Sequence, residues 1–154
     1  MEVTDLIAIA CDHSALELKE EVEALLESRG LEYKDFGTYT TESCHYPVYG
    51  ARAARAVASG ECDRGIVICG TGIGVSLAAN KIPGIRCALC GDPYSAKMTR
   101  AHNNANMLAL GARVIGVELA KMIVEAFLDT PFEGGRHQTR IDMITALENG
   151  EAIE

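Results

Sequence analysis

Asp63-Arg-Gly-Ile-Val-Ile-Cys-Gly-Thr-Gly-Ile-Gly-Val-Ser-Leu-Ala-Ala-Asn80 is the stretch that decides the reading of this chain. Gly65 to Ile68 is a short apolar, β-branched run of the kind that forms a buried strand. Cys69 falls where that strand ends. Gly70, Gly72 and Gly74 then free the backbone to turn sharply. Val75 to Lys81 continues with helical spacing. Strand, glycine-rich turn and helix start together present a cluster of backbone N–H groups suited to a phosphate or to an oxyanion formed during a reaction. A thiol works as a base or nucleophile only as its thiolate, a form that such surroundings favour. Cys69 on the lip of this turn therefore points to chemistry as well as to binding.

The chain around this stretch has 154 residues, 48% of them hydrophobic and 23% charged. That length makes one domain, able to bury roughly 70% of its unfolded surface. A net charge of −8 argues against nucleic acid or an anionic membrane as partner. An anionic ligand must therefore be met by a local cluster of Arg and His. No apolar run approaches the ~18 residues of a membrane span. The opening Met1-Glu2-Val3-Thr4-Asp5 lacks the basic-then-apolar pattern of a signal peptide, so a cytoplasmic location is expected. Six cysteines in that setting read as free thiols. Cys87 and Cys90 match C-x-x-C in form only, because in a strand residues three apart point to opposite faces.

Moving outward, Leu6 to Ala10 reads as a first buried strand, ending at Cys11-Asp12-His13-Ser14. Ser14 with Glu17 has the form of a capping box for a helix closed by Gly30. Leu31 to Phe36 is a second strand, followed by an aperiodic polar loop to Tyr46. Pro47 suits the first turn of the next helix, which ends near Gly60. After the central stretch come a strand over Ile85 to Cys90 and a helix begun by Asp92-Pro93. A strand over Asn106 to Leu110 and a helix over Gly116 to Leu128 follow. Gly134-Gly-Arg-His-Gln-Thr-Arg140 leads into a last helix through Ile141, Ile144 and Leu147. Five strands alternating with helices predict an α/β, three-layer, Rossmann-like fold: a five-stranded parallel sheet and a C-terminal helical tail. The tail, about 131–154, is expected to pack on a neighbouring subunit. In open parallel sheets ligands bind at the carboxyl ends of the strands. Asp12, His13, Tyr46, Cys69 and the glycines all fall there.

Competing motifs fit less well. Gly70-x-Gly72-x-Gly74 is not G-x-G-x-x-G, and it follows the third strand rather than the first. Asn80-Lys81 does not complete a phosphate loop of the Walker type. His13, His45, His102 and His137 form no His-x-x-x-His pair, so neither a metal nor a cofactor is expected. Arg113, Arg136 and Arg140 form a candidate anion site, since guanidinium grips phosphate in a planar, bidentate way. Arg136 and Arg140, four apart on a helix start, share a face.

Cys11-Asp-His13, Cys69-Gly-Thr-Gly-Ile-Gly74, Ala78-Ala-Asn-Lys81, His102-Asn103, Gly111-Ala-Arg113 and Gly134-Gly-Arg-His137 resemble, in order and spacing, the type B ribose-5-phosphate isomerases. That group includes galactose-6-phosphate isomerase, and the resemblance spans nearly the whole chain. It implies a metal-free aldose–ketose isomerase working through a cis-enediolate on a small sugar phosphate. Cys69 would move the proton between C1 and C2; relatives that use glutamate instead carry it where this chain has Val75. His102 would open the furanose ring, with Asp12 and Thr71 assisting. His13, Arg113, Arg136 and Arg140 would hold phosphate, and Asn103 a sugar hydroxyl. Tyr46, Gly70, Gly72, Ile73 and Gly74 would complete the substrate site. The resemblance also implies a homodimer or tetramer with active sites shared between subunits. His45-Tyr46-Pro47 departs from the Asp-Tyr-Pro usual in the ribose enzymes and is more like the galactose subunits. Those subunits generally lack the Gly-Gly-Arg-His tail, which favours ribose 5-phosphate. Allose, galactose or tetrulose phosphates are the alternative substrates, and a non-catalytic sugar-phosphate or nucleotide module is the alternative class.

Overall fold

The computed structural model describes residues 5–154, and Met1 to Thr4 of the expected single-domain span lie outside them. Five strands, β1 (Leu6–Cys11), β2 (Glu32–Asp35), β3 (Arg64–Cys69), β4 (Cys87–Leu89) and β5 (Met107–Gly111), form one parallel sheet in the order β2-β1-β3-β5-β4. The three inner strands read as near-continuous apolar runs because both of their faces are covered. β2 is an edge strand with alternating exposure, as its sequence Glu-Tyr-Lys-Asp allows.

Helices α1 (Leu16–Ser28), α2 (Tyr46–Ala58), α3 (Ile73–Ala79), α4 (Pro93–Asn103), α5 (Val117–Asp129) and α6 (Arg136–Glu148) complete the chain. One face of the sheet packs Ile7, Ile9, Ile66, Ile68, Leu108 and Leu110 against α1, α4 and α5. The other packs Ala8, Ala10, Val67 and Ala109 against α2 and α3. The small residues on that second face let Ala53, Ala54 and Val75 approach closely. Cys87 packs on the second face and Cys90, just past the end of β4, on the first.

Two local expectations are corrected. Ser14 does not cap α1: its hydroxyl and its N–H both donate to Asp12 Oδ1, at 2.6 and 3.0 Å, and the helix begins after Ala15 without a side-chain cap. The strand predicted over Ile85 to Cys90 shrinks to three residues. Asn80 bonds the Cys87 N–H and carbonyl at 2.8 and 2.9 Å, and Asn106 bonds the Arg86 N–H and the Gly84 carbonyl at 2.8 and 2.9 Å. These side chains satisfy backbone groups that a longer ladder would otherwise hold. The Asp92 cap holds as read, accepting from the Ser95 N–H at 2.7 Å ahead of Pro93.

The tail lies beside α4. Ile141 is buried, while Met143, Ile144 and Leu147 remain largely exposed. Glu148 accepts from the Gly84 N–H at 3.2 Å, which ties the far end of α6 to the loop before β4.

Candidate active site

The carboxyl ends of β1, β3 and β5 meet around Cys69. Gly72 takes φ +79°, and a Cβ there would lie 2.8 Å from the Leu110 carbonyl carbon, so only glycine lets the turn close. The closed turn aims the Gly72 N–H at Cys69 Sγ, 3.2 Å away. Cys69 is 5% exposed, with its body in the core and its sulfur on the amide turn. Thr71 Oγ1 accepts from the Ile73 N–H at 3.2 Å, which orders the next part of the turn. α3 begins at Ile73, two residues earlier than the spacing suggested, and has only seven residues. The individual N–H groups of the turn therefore matter more here than a helix dipole.

A cavity of about 470 Å³ opens over this turn, lined among others by Asp12, His13, Tyr46, Cys69, Thr71 and Arg113. Asp12 is 7% exposed, and its carboxylate is occupied by both donors of Ser14. His13 Nδ1 accepts from the Cys44 N–H at 3.2 Å, so in the neutral ring the proton sits on Nε2. Arg113 is held by its own N–H, which donates to the Gly70 carbonyl at 2.9 Å. The Tyr46 ring lies against Gly74, where any Cβ would strike it. Ser14 and Leu77 also line the cavity. The local sequence gives Ser14 the form of a helix cap and carries no signal for Leu77.

The loop behind β1 is fixed from below. Lys19, 2% exposed, donates to Asp35 Oδ1 at 2.8 Å and to the Thr38 carbonyl at 2.6 Å. Asp35 Oδ1 also accepts from the Gly37 N–H at 2.8 Å. Burial, reinforced by the neighbouring Asp35, raises the Glu23 carboxyl to about 7. Asp35 keeps a lowered value despite burial, because the neighbouring Glu23 carboxyl, then Lys19 and the Gly37 N–H, favour its charged form.

The remaining expected residues fall elsewhere in the chain. His102 ends α4 and stacks on His137 near the start of α6, with ring centroids 4.1 Å apart and planes 9° apart. Glu133 Oε1 lies 3.8 Å from His102 Nε2 and 3.5 Å from His137 Nε2. Burial, then His102 and Arg136, push the His137 imidazole below its usual value. Arg136 and Arg140 are exposed on the same end of α6. Asn103 lines a separate groove of about 610 Å³ between α6 and the β4 edge. None of these residues lines the Cys69 cavity.

His102, Glu133 and His137 place three possible ligand atoms within 4.8 Å of one another, a grouping that spacing along the chain did not suggest. The nearby charges of Arg136 and Arg140 on His137 disfavour a cation there. The one sequence signal for Glu133 is its i,i+4 spacing from His137. Of the other thiols, burial raises Cys11 and Cys87 to about 12 and Cys90 to about 11. These three stay protonated at neutral pH.

A family model described as Ribose/Galactose Isomerase matches residues 7–144. The chain belongs to this family. It is 55% identical over 142 residues to ribose-5-phosphate isomerase B of Escherichia coli (strain K12), covering 92% of this chain and 95% of that protein. It superposes on the structure of Clostridium thermocellum ribose-5-phosphate isomerase B with a TM-score of 0.93 at 54% identity, covering 94% of this chain and 98% of that one. It is also 45% identical over 146 residues to a D-erythrulose-4-phosphate isomerase of Pectobacterium atrosepticum, covering 94% and 96%. Members of the family thus carry names for more than one sugar phosphate. Among the described residues no helix is long and apolar enough to cross a membrane.

Proposed function

We propose that this protein interconverts D-ribose 5-phosphate and D-ribulose 5-phosphate, with Cys69 as the base that moves the proton between C2 and C1. The observation that carries this reading is the contact of Cys69 Sγ with the Gly72 N–H at the mouth of a cavity rimmed by Asp12, His13 and Arg113. In the open-chain aldose the thiolate takes the C2 proton, and the electron pair moves into the C1–C2 bond and onto the carbonyl oxygen. The resulting cis-enediolate then takes the same proton back at C1, while its oxygens exchange a proton, leaving the ketose. Peptide N–H groups of residues 70–74 and the Thr71 hydroxyl are the donors nearest the developing oxyanion; such donors are typically worth about 3 kcal/mol each. His102 opens the furanose ring, with Asp12 assisting. His13, Arg113, Arg136 and Arg140 hold the phosphate, and its binding orients the reacting carbons. Asn103 contacts a sugar hydroxyl, while Tyr46 and Ile73 line the sugar.

This assignment requires the two groups of residues to meet. Cys69, Asp12, His13 and Arg113 share one cavity, whereas His102, Arg136 and Arg140 gather at the junction of α4 and α6. A second copy that brings its α4–α6 junction over the first copy's Cys69 supplies the missing half, so the working form is a homodimer or a multiple of one. The exposed Met143, Ile144 and Leu147 of α6 give the tail, about 131–154, an apolar face for that contact. Six unpaired cysteines suit a reducing, cytoplasmic setting. The reading uses no metal or cofactor, and a chelator in the assay tests that point.

The direct experiment is an isomerase assay on purified protein over a panel of ribose, allose, galactose and erythrulose phosphates, with a chelator present. The highest kcat/KM should fall on the ribose pair. A higher value on a four- or six-carbon substrate would move the assignment to the second reading, which His45 and the erythrulose-4-phosphate relative favour. Binding without exchange of the C2 proton in heavy water would indicate a non-catalytic module.

A further inference from the structure

The stacked imidazoles of His102 and His137 share the carboxylate of Glu133, a residue anchored through its backbone. The Glu133 N–H donates to the carbonyl of Ala101 at 3.0 Å, which anchors Glu133 to the residue next to His102. Gly134 and Gly135, with φ of +71° and +59°, then turn the chain so that α6 starts with Arg136 and His137. Glu133 Oε1 thereby faces Nε2 of both rings, at 3.5 and 3.8 Å. His137 is 6% exposed, and its Nε2 has no hydrogen-bond partner among the described residues. A buried nitrogen left so is costly, and closing it onto Glu133 takes a shift of about half an ångström.

Two parallel imidazoles at this separation do not both carry charge without strong repulsion. The charged neighbours acting on His137 are His102, Arg136, Arg140 and Glu133, and Glu133 is the one anion among them. We propose that Glu133 is a positioning residue: it fixes the orientation of the His102–His137 stack, so that the one charge the stack carries rests on the better hydrated His102, its side chain 39% exposed, and not on His137, its side chain 7% exposed. The proposal deepens the ring-opening role given to His102 above and rests on it. If Glu133 merely braced the start of α6, its loss would weaken every substrate alike.

The test compares E133Q and E133D with wild type on two substrates. Ribose 5-phosphate is mostly a closed furanose, whereas ribulose 5-phosphate stays open because its O5 carries the phosphate. E133Q should slow the initial rate on ribose 5-phosphate by about tenfold or more, while consumption of ribulose 5-phosphate stays within about threefold. Its pH profile on ribose 5-phosphate should move to lower pH, since a lost anion weakens the charged imidazole, and E133D should recover part of both effects. Equal losses on the two substrates, or an unmoved pH profile, would overturn the proposal. H102N run in parallel separates the two ideas. Selective loss in H102N with none in E133Q removes Glu133 alone, whereas equal losses in H102N remove the ring-opening role beneath it.

Discussion

Around Cys69 the backbone does the positioning, whereas around His102 side chains do. The turn from Cys69 to Gly74 is closed by a glycine at φ +79° and by one N–H donated to sulfur, with core packing directly behind it. The α4–α6 junction instead relies on stacked rings, a carboxylate 57% exposed and arginines that project from the first two turns of a helix. The first region is buried and closely packed, which agrees with the proposed proton transfer there. The second is more polar and more exposed, which agrees with the proposed phosphate binding and completion by a partner. This division predicts that damage to the first region appears in kcat and damage to the arginines of the second mainly in KM.

The largest effect belongs to the sulfur. C69A should lose about 10³-fold or more in turnover while still binding the sugar phosphate, measured by calorimetry beside the rate. Turnover close to wild type would take the proton transfer away from Cys69 and erase the contrast. Next come the glycines. G72A forces a Cβ against the Leu110 carbonyl and should cost about a hundredfold in kcat with the circular dichroism unchanged. G134A, where a Cβ meets open space, bears only the strain of its positive φ, so its activity should fall by no more than about tenfold. Similar losses for the two would mean that backbone geometry is no more critical around Cys69 than in the tail.

R136A should raise KM for sugar phosphate about tenfold and change kcat only a few-fold. A fall in kcat with KM constant would shift that arginine to the transition state. The smallest effect lies beneath the loop behind β1. The Glu23 carboxyl is raised to about 7 in the fold, above its unfolded value of about 4.3. Its contribution is therefore complete at low pH and fades as pH rises through about 7. E23Q should match wild type in thermal stability at about pH 4 and below and exceed it by about 1 kcal/mol above pH 8, the partial exposure of the side chain keeping the gain small. A gain at low pH instead would contradict that sign.

Much of this arrangement is legible in the chain. β1, β3 and β5 are apolar runs that stop at polar or glycine residues, so their carboxyl ends, with Asp12, Cys69 and the Gly111–Arg113 segment, can be placed without coordinates. The Asp92-Pro93 helix start is equally plain, because its cap lies within four residues. What fails is whatever depends on a distant partner. Ser14 has the form of a cap, yet the Asp12 carboxylate takes both of its donors. β4 looks six residues long, yet Asn80 and Asn106 replace part of its ladder. The Glu133 contact with His102 exists only because α5 returns the chain across the end of α4, which no local pattern encodes.

The central claim is that one chain carries two half-sites and that a second copy joins them. Mixing C69A with the double variant R136A/R140A, after gentle dissociation and reassociation, tests it at substrate concentrations below KM. In a mixed dimer one site then holds both defects and the other holds none. Statistical reassociation should restore about a quarter of wild-type activity from two nearly inactive parents. Activity that stays at the parents' average would mean that Cys69 and the two arginines serve the same site within one chain, and the account would be wrong.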